Sequence, residues 1–161
     1  MKIFVPADAA AVAVGADDVA AALARAMPGD TTIVRTGSRG LFWLEPLIEI
    51  ERDGQRIGFG PISADEVPEL VDALTGNADH PAALGPVDQL VFLRSQTRLS
   101  FARCGIIDPL SIEDYERHGG LAGLRRVCGH RLGQFQANVG GDDVGSFACQ
   151  TFRDGHPDSR A

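Results

Sequence analysis

Cysteine is scarce in this chain and poorly placed for a disulfide framework. Cys104, Cys128 and Cys149 are odd in number and widely spaced, which argues against a secreted, disulfide-stapled fold. No Cys-x-x-Cys pair is present, so thioredoxin-type thiol exchange is excluded as well. No apolar run is long enough to cross a bilayer. Basic residues are outnumbered, 15 Lys and Arg to 22 Asp and Glu, and no polybasic run occurs; the net charge of −7 argues against a nucleic-acid footprint. The opening MKIFVPADAAAVAVG has a single Lys, then Pro and Asp before its Ala/Val run, which suits a strand and helix better than a signal peptide. The cytoplasm is the expected compartment.

The 161 residues suit one ordinary domain and a tail. Lys2 to Val5 is β-rich and stopped by Pro6, a first strand. Asp17 to Met27 places Val19, Ala20, Leu23 and Met27 on one helical face, ended by Pro28-Gly29. Thr31 to Arg35 reads as a second strand. Leu47 to Glu51 alternates apolar and charged residues, Asp53-Gly54 is a hairpin turn, and Gln55 to Phe59 is the returning strand. Ser63 with Glu66 forms a capping box before a helix whose buried face is Val67, Leu70, Val71 and Leu74. The order predicts an α/β domain, a mixed sheet with helices against it. Turn formers from Thr75 to Pro86 place the edge of the compact domain at residue 76. His80-Pro81 there has no second ligand nearby and reads as a surface-loop histidine.

Residues 77–126 read as a connector. Thr97 onward alternates basic and apolar residues, suiting a short extended arm, and Ile107-Asp108-Pro109 breaks it. Ser111 can N-cap a helix with Asp114 in its first turn. Gly119-Gly120 closes that helix, and Leu121, Leu124 and Val127 begin another amphipathic segment. At eight residues, Ser111 to His118 is too short to persist alone and should need a surface to dock on.

The segment ARCGIIDPLSIEDYERHGGLAGLRR resembles the stretch leading into the flavin domain of NADH-binding flavoprotein subunits. These include the complex I flavoprotein, hydrogenase diaphorase subunits, and the beta subunit of NAD-dependent formate dehydrogenase. In several members a thioredoxin-like (2Fe–2S ferredoxin-like) domain precedes this segment. Its loop pattern Gly-Cys-x-Gly-x-Cys aligns here with Gly37-Ser38-Arg39-Gly40-Leu41-Phe42, followed by Pro46. Ser38 and Phe42 occupy those two cysteine positions, and Pro6 and Ala11 are nearest to the other pair. The scaffold is expected without its cluster, because a cluster needs thiolate ligands. With no cluster cysteines, residues 1–126 are most similar to the N-terminal part of the formate dehydrogenase beta subunit.

The resemblance implies electron transfer to NAD in a full subunit, through FMN and a 4Fe–4S cluster. After Arg126 the chain departs from the family: no glycine-rich FMN loop follows, and Val139-Gly140-Gly141-Asp142-Asp143 carries acids that would repel a phosphate. No FMN, NAD or cluster is therefore expected on this chain, no catalytic, cofactor or metal residue is assigned, and activity of the chain alone is not expected. Cys128, His130, Cys149 and His156 match no standard structural zinc spacing. Residues 127–161 read as a divergent tail without periodicity, expected to be mobile and explained by a frameshifted or truncated reading of a longer gene. The implied partners are other subunits of a formate dehydrogenase complex, with Arg39, Leu41, Phe42 and Trp43 as the candidate contact surface. Alternatively, Phe42 and Trp43 fill core space once held by a cluster. A second reading is an independent, non-redox thioredoxin-like interaction module.

Overall fold

A computed structural model describes residues 1–76 and 78–129. Its first strand, β1 (Lys2–Pro6), turns Ile3 and Val5 to one face and Phe4 to the other, and all three are buried. β2 (Thr32–Thr36) pairs with it in parallel, Lys2 against Thr32 through Pro6 against Thr36. A parallel pair requires a crossover. Two helices supply it, α1 (Ala9–Ala13) and α2 (Ala16–Ala26). The first was not expected; Asp8 caps it, its carboxylate accepting from Ala10 N at 3.1 Å. In α2 the stripe read from spacing is the buried one: Val19, Ala20 and Leu23, continued by Met27.

The hairpin follows as its turn chemistry requires. Asp53 (φ 52°) and Gly54 (φ 74°) are both left-handed, the combination that matches strand twist in a two-residue hairpin. β3 (Ile48–Arg52) pairs antiparallel with β1, Ile3 opposite Ile50, and with β4 (Gln55–Phe59). Ile48, Ile50 and Phe59 then share the face of Ile3 and Val5 and pack with α2 and α3 (Val67–Thr75) into the main core. α3 buries Val67, Leu70, Ala73 and Leu74, with Val71 only partly covered. The box caps one 3-10 turn, Ala64–Glu66, that leads directly into α3. The Glu66 carboxylate accepts from Ser63 N at 2.8 Å and from Ser63 Oγ at 2.7 Å. Those two bonds hold its pKa below the usual carboxylate range. Replacing Ser63 with alanine is expected to lower unfolding free energy by about 1 kcal/mol, read from the denaturant midpoint at unchanged slope.

Two expectations need correction. The turn-rich stretch read as the edge of the domain contains β5 (Ala83–Pro86), antiparallel to β4 with Gly58 opposite Gly85. The sheet therefore has five strands in the order β2-β1-β3-β4-β5. An edge strand carrying Gly and a terminal Pro has a turn-like composition, which hid it. The compact unit runs from Met1 to His118 and so takes in much of the expected connector. Within it, the expected extended arm is a succession of turns, with Ala102 N, Cys104 N and Ile106 N bonding to Leu99 O, Phe101 O and Arg103 O.

α4 (Val91–Arg94) and α5 (Ile112–Arg117) complete this unit. Ser111 caps α5 as expected, its hydroxyl accepting from Asp114 N at 3.1 Å. His80 is a loop residue whose Nδ1 accepts from Ala82 N. A second unit begins at Gly119, and residues 122–129 are helical. All of the expected tail beyond residue 129 lies outside the described residues. Among the described residues, no helix is long and apolar enough to cross a membrane.

Candidate docking surface

The alternation of β3 places Glu49 on the sheet face opposite the main core, beside Phe4 and across from Gly58. It stands on the charged side of the strand's alternation, yet it is 3 % exposed. Arg39, ten residues upstream in the loop after β2, lies over it and forms a fork, Nε to Oε1 and Nη2 to Oε2, both at 2.8 Å. Arg39 is itself 3 % exposed, and its Nη1 reaches Asp88 Oδ1 at 2.8 Å. Burial works against the Arg39 cation, but Glu49 and Asp88 outweigh it and its pKa rises. Burial also pushes the Glu49 carboxyl above the usual range, against the pull of Arg39 and Arg56.

Arg56 extends this network towards the connector. Its guanidinium lies 3.1 Å from the Phe4 ring centroid and 3.8 Å from Glu49, and its Nη2 donates to Ile106 O at 2.9 Å. Desolvation holds its pKa below the usual arginine value, although Glu49 opposes this. The backbones of the loop and the connector approach closely at Gly37 and Gly105, where a Cβ on Gly37 would sit 3.7 Å from Gly105 N. The short helix α5 is thus tied to the sheet through the segment before it, including Ile107, which is buried.

The loop itself closes on a second buried carboxylate. Glu45 accepts from Ser38 Oγ and Leu47 N, each at 3.0 Å, while Ser38 Oγ accepts from Gly40 N at 2.9 Å. Burial raises the Glu45 pKa, with the two hydrogen bonds opposing. Leu41 and Leu47 turn inward with Val87 and Leu93 to form a small second core, against which Leu44, Leu84 and Leu90 pack. With those leucines inside, the aromatic pair between them is turned out: Phe42 is 60 % exposed and Trp43 58 %. Trp43 meets Phe92 of α4 edge to face, centroids 4.9 Å apart. Val91 and Phe92 are exposed beside it. Apolar side chains from two segments thus face solvent on a firm base, the kind of patch that marks an interaction site.

Of the four residues expected at a contact surface, Phe42 and Trp43 are exposed, whereas Arg39 and Leu41 are buried. The alternative in which Phe42 and Trp43 fill the core is overturned by their exposure. Val91, Phe92, Glu49 and Asp88 were missed. Only the apolar Val91-Phe92 pair gave a local signal, and nothing near Glu49 or Asp88 in sequence identifies Arg39 as their partner. Of the positions aligned with cluster cysteines, Pro6 and Ala11 are buried, Ser38 is bonded within its loop and Phe42 faces solvent. Among the described residues, no group of three or more His, Cys, Asp or Glu is placed to hold a metal ion. No protein-family model matches the chain, and no curated protein matches it.

Proposed function

We propose that this chain is a docking module: the N-terminal part of a formate-dehydrogenase-type, NADH-binding beta subunit, with a thioredoxin-like domain that holds no cluster. The observation that carries the docking role is the exposed Phe42, Trp43 and Phe92 surface set on its own small core. The thioredoxin-like reading is supported by the βαβ unit extended by an antiparallel hairpin, β2-β1-β3-β4 with β3 reversed. The subunit identity rests on the resemblance of the connector and of the loop from Gly37 to Pro46. In this reading the chain works in the cytoplasm and contacts other subunits of the complex. Electron transfer to NAD through FMN and a 4Fe–4S cluster belongs to the full subunit.

Co-expression with the molybdenum-type formate dehydrogenase large subunit tests the proposal. The two are expected to co-elute in size exclusion, and Phe42→Ser with Trp43→Ser is expected to weaken the complex about thirtyfold with no change in Tm. Absence of any complex with that subunit would remove the formate dehydrogenase assignment. The independent, non-redox interaction module would then stand, favoured by the same aromatic surface.

A further inference from the structure

On the connector side of the sheet, β1, the β3–β4 hairpin and α5 line an open cavity of about 360 Å³. This is within the size range of small-molecule sites. Its lining includes Lys2, Arg56, Arg117 and His118, against Glu51 and Asp114. A basic surplus in one cavity is out of keeping with a chain of net charge −7. Asp114 neutralises Arg117, which leaves Lys2 and Arg56 as the surplus. Asp114 is already engaged, its Oδ2 accepting from Asp108 N at 2.9 Å and its Oδ1 from Arg117 Nη1 at 2.8 Å. Glu51 lies opposite Arg56 in the strand register without an ion pair to it.

Lys2, Arg56 and His118 have donor capacity to spare. The Lys2 side chain has no ion-pair or hydrogen-bond partner among the described residues. Arg56 makes one hydrogen bond, to Ile106 O, of the five its guanidinium can donate; its Nη1 is buried 3.8 Å from Glu49 Oε2, which leaves Nη2 and Nε to serve a ligand. His118 turns Nδ1 to Asp114 O at 2.8 Å, and a carbonyl there requires that nitrogen to donate, leaving Nε2 uncommitted. The Phe4 ring beneath Arg56 excludes water from one side of the guanidinium, which strengthens any charge-assisted bond it makes.

We propose that this cavity binds a small molecule bearing a phosphate or carboxylate group, with Lys2 and Arg56 as the anchors of that group. Both groups are oxyanions that a guanidinium fork can bind. This site lies away from the aromatic surface and does not depend on the docking reading.

The test is a two-dimensional NMR titration of the full chain with inorganic phosphate and, separately, succinate, at constant ionic strength and with chloride as the matched control. Saturable shifts at the amides of Lys2, Gln55 and Arg56 with at least one of them are expected, and the stronger binder identifies the group. Lys2→Ala, at an exposed strand start, is expected to weaken that binding about tenfold. Arg56→Lys, which keeps the charge and loses the fork, should weaken it as well while leaving the amide spectrum of α2 and α3 in place. The proposal is overturned if neither oxyanion exceeds chloride, or if Lys2→Ala and Arg56→Lys both bind as the parent chain does.

Discussion

Replacing Arg39 by methionine should lower the unfolding free energy by about 3–5 kcal/mol at neutral pH, the cost of leaving one partner of a buried pair alone. The removed guanidinium makes three charge-assisted bonds, two to Glu49 and one to Asp88. The partners lose unequally. The Asp88 side chain is 69 % exposed and can turn to water, while that of Glu49 is 4 % exposed and cannot. Arg56, at 3.8 Å, is too far to replace the fork. Burial has already raised the Glu49 pKa, and removal of Arg39 should move it further up. A carboxyl whose folded pKa is raised contributes stability that is complete below its unfolded value, about 4.3, and is lost as pH rises through the folded one. The deficit of the variant should therefore be smaller near about pH 4 than at about pH 7.5. Urea denaturation at the two pH values measures this. Arg39→Met with Glu49→Met should recover at least half of the loss, because a packed apolar pair can replace a buried ion pair. A single-variant cost below about 1 kcal/mol, the range of exposed pairs, would mean that the fork does not hold the loop.

Local chemistry accounts for which elements the sequence disclosed. Asp53-Gly54 and the Ser63/Glu66 box place a turn and a helix start by interactions between residues at most three apart, and the structure has both. The apolar stripe of α2 is visible for the same reason: its period is complete within one segment. β5 is different. Its four residues, Ala-Leu-Gly-Pro, carry no strand preference of their own, and pairing with β4 makes them a strand. Tertiary context likewise overrides the alternating pattern of β3, where Glu49 is buried because Arg39 and Arg56 converge on it from outside the strand. At the docking surface, Leu41-Phe42-Trp43-Leu44 is uniformly apolar, so no period separates inward from outward residues. The second core settles that choice, and it is assembled from the 41–47 and 84–93 segments, too far apart in sequence to read.

Gly105→Ala should cost about 2–4 kcal/mol, and the loss should appear first in the connector. Two terms add at this position. The backbone is left-handed, φ 78°, which costs a residue with a Cβ about 1–2 kcal/mol. A Cβ there would also overlap Arg39 Cγ and lie 3.2 Å from both Arg39 N and Gly37 O, so overpacking adds about 1–3 kcal/mol. The two glycines permit this approach, and Ile106 O beside it is where Arg56 holds the connector to the sheet. Lifting Gly105 off Arg39 therefore strains the bond to Arg56 and the burial of Ile107 together. Hydrogen exchange should quicken at Ile106 and Ile107 by more than in α2 or α3, whose leucines pack on the other face of the sheet. Gly85→Ala supplies the control, since Gly85 is also left-handed, φ 73°, but a Cβ there meets nothing within 4 Å. That variant should show only the backbone term of about 1–2 kcal/mol and leave exchange in the connector unchanged. Equal costs for the two variants would mean that Gly105 is required for its dihedral alone, and that the connector does not depend on its contact with Arg39.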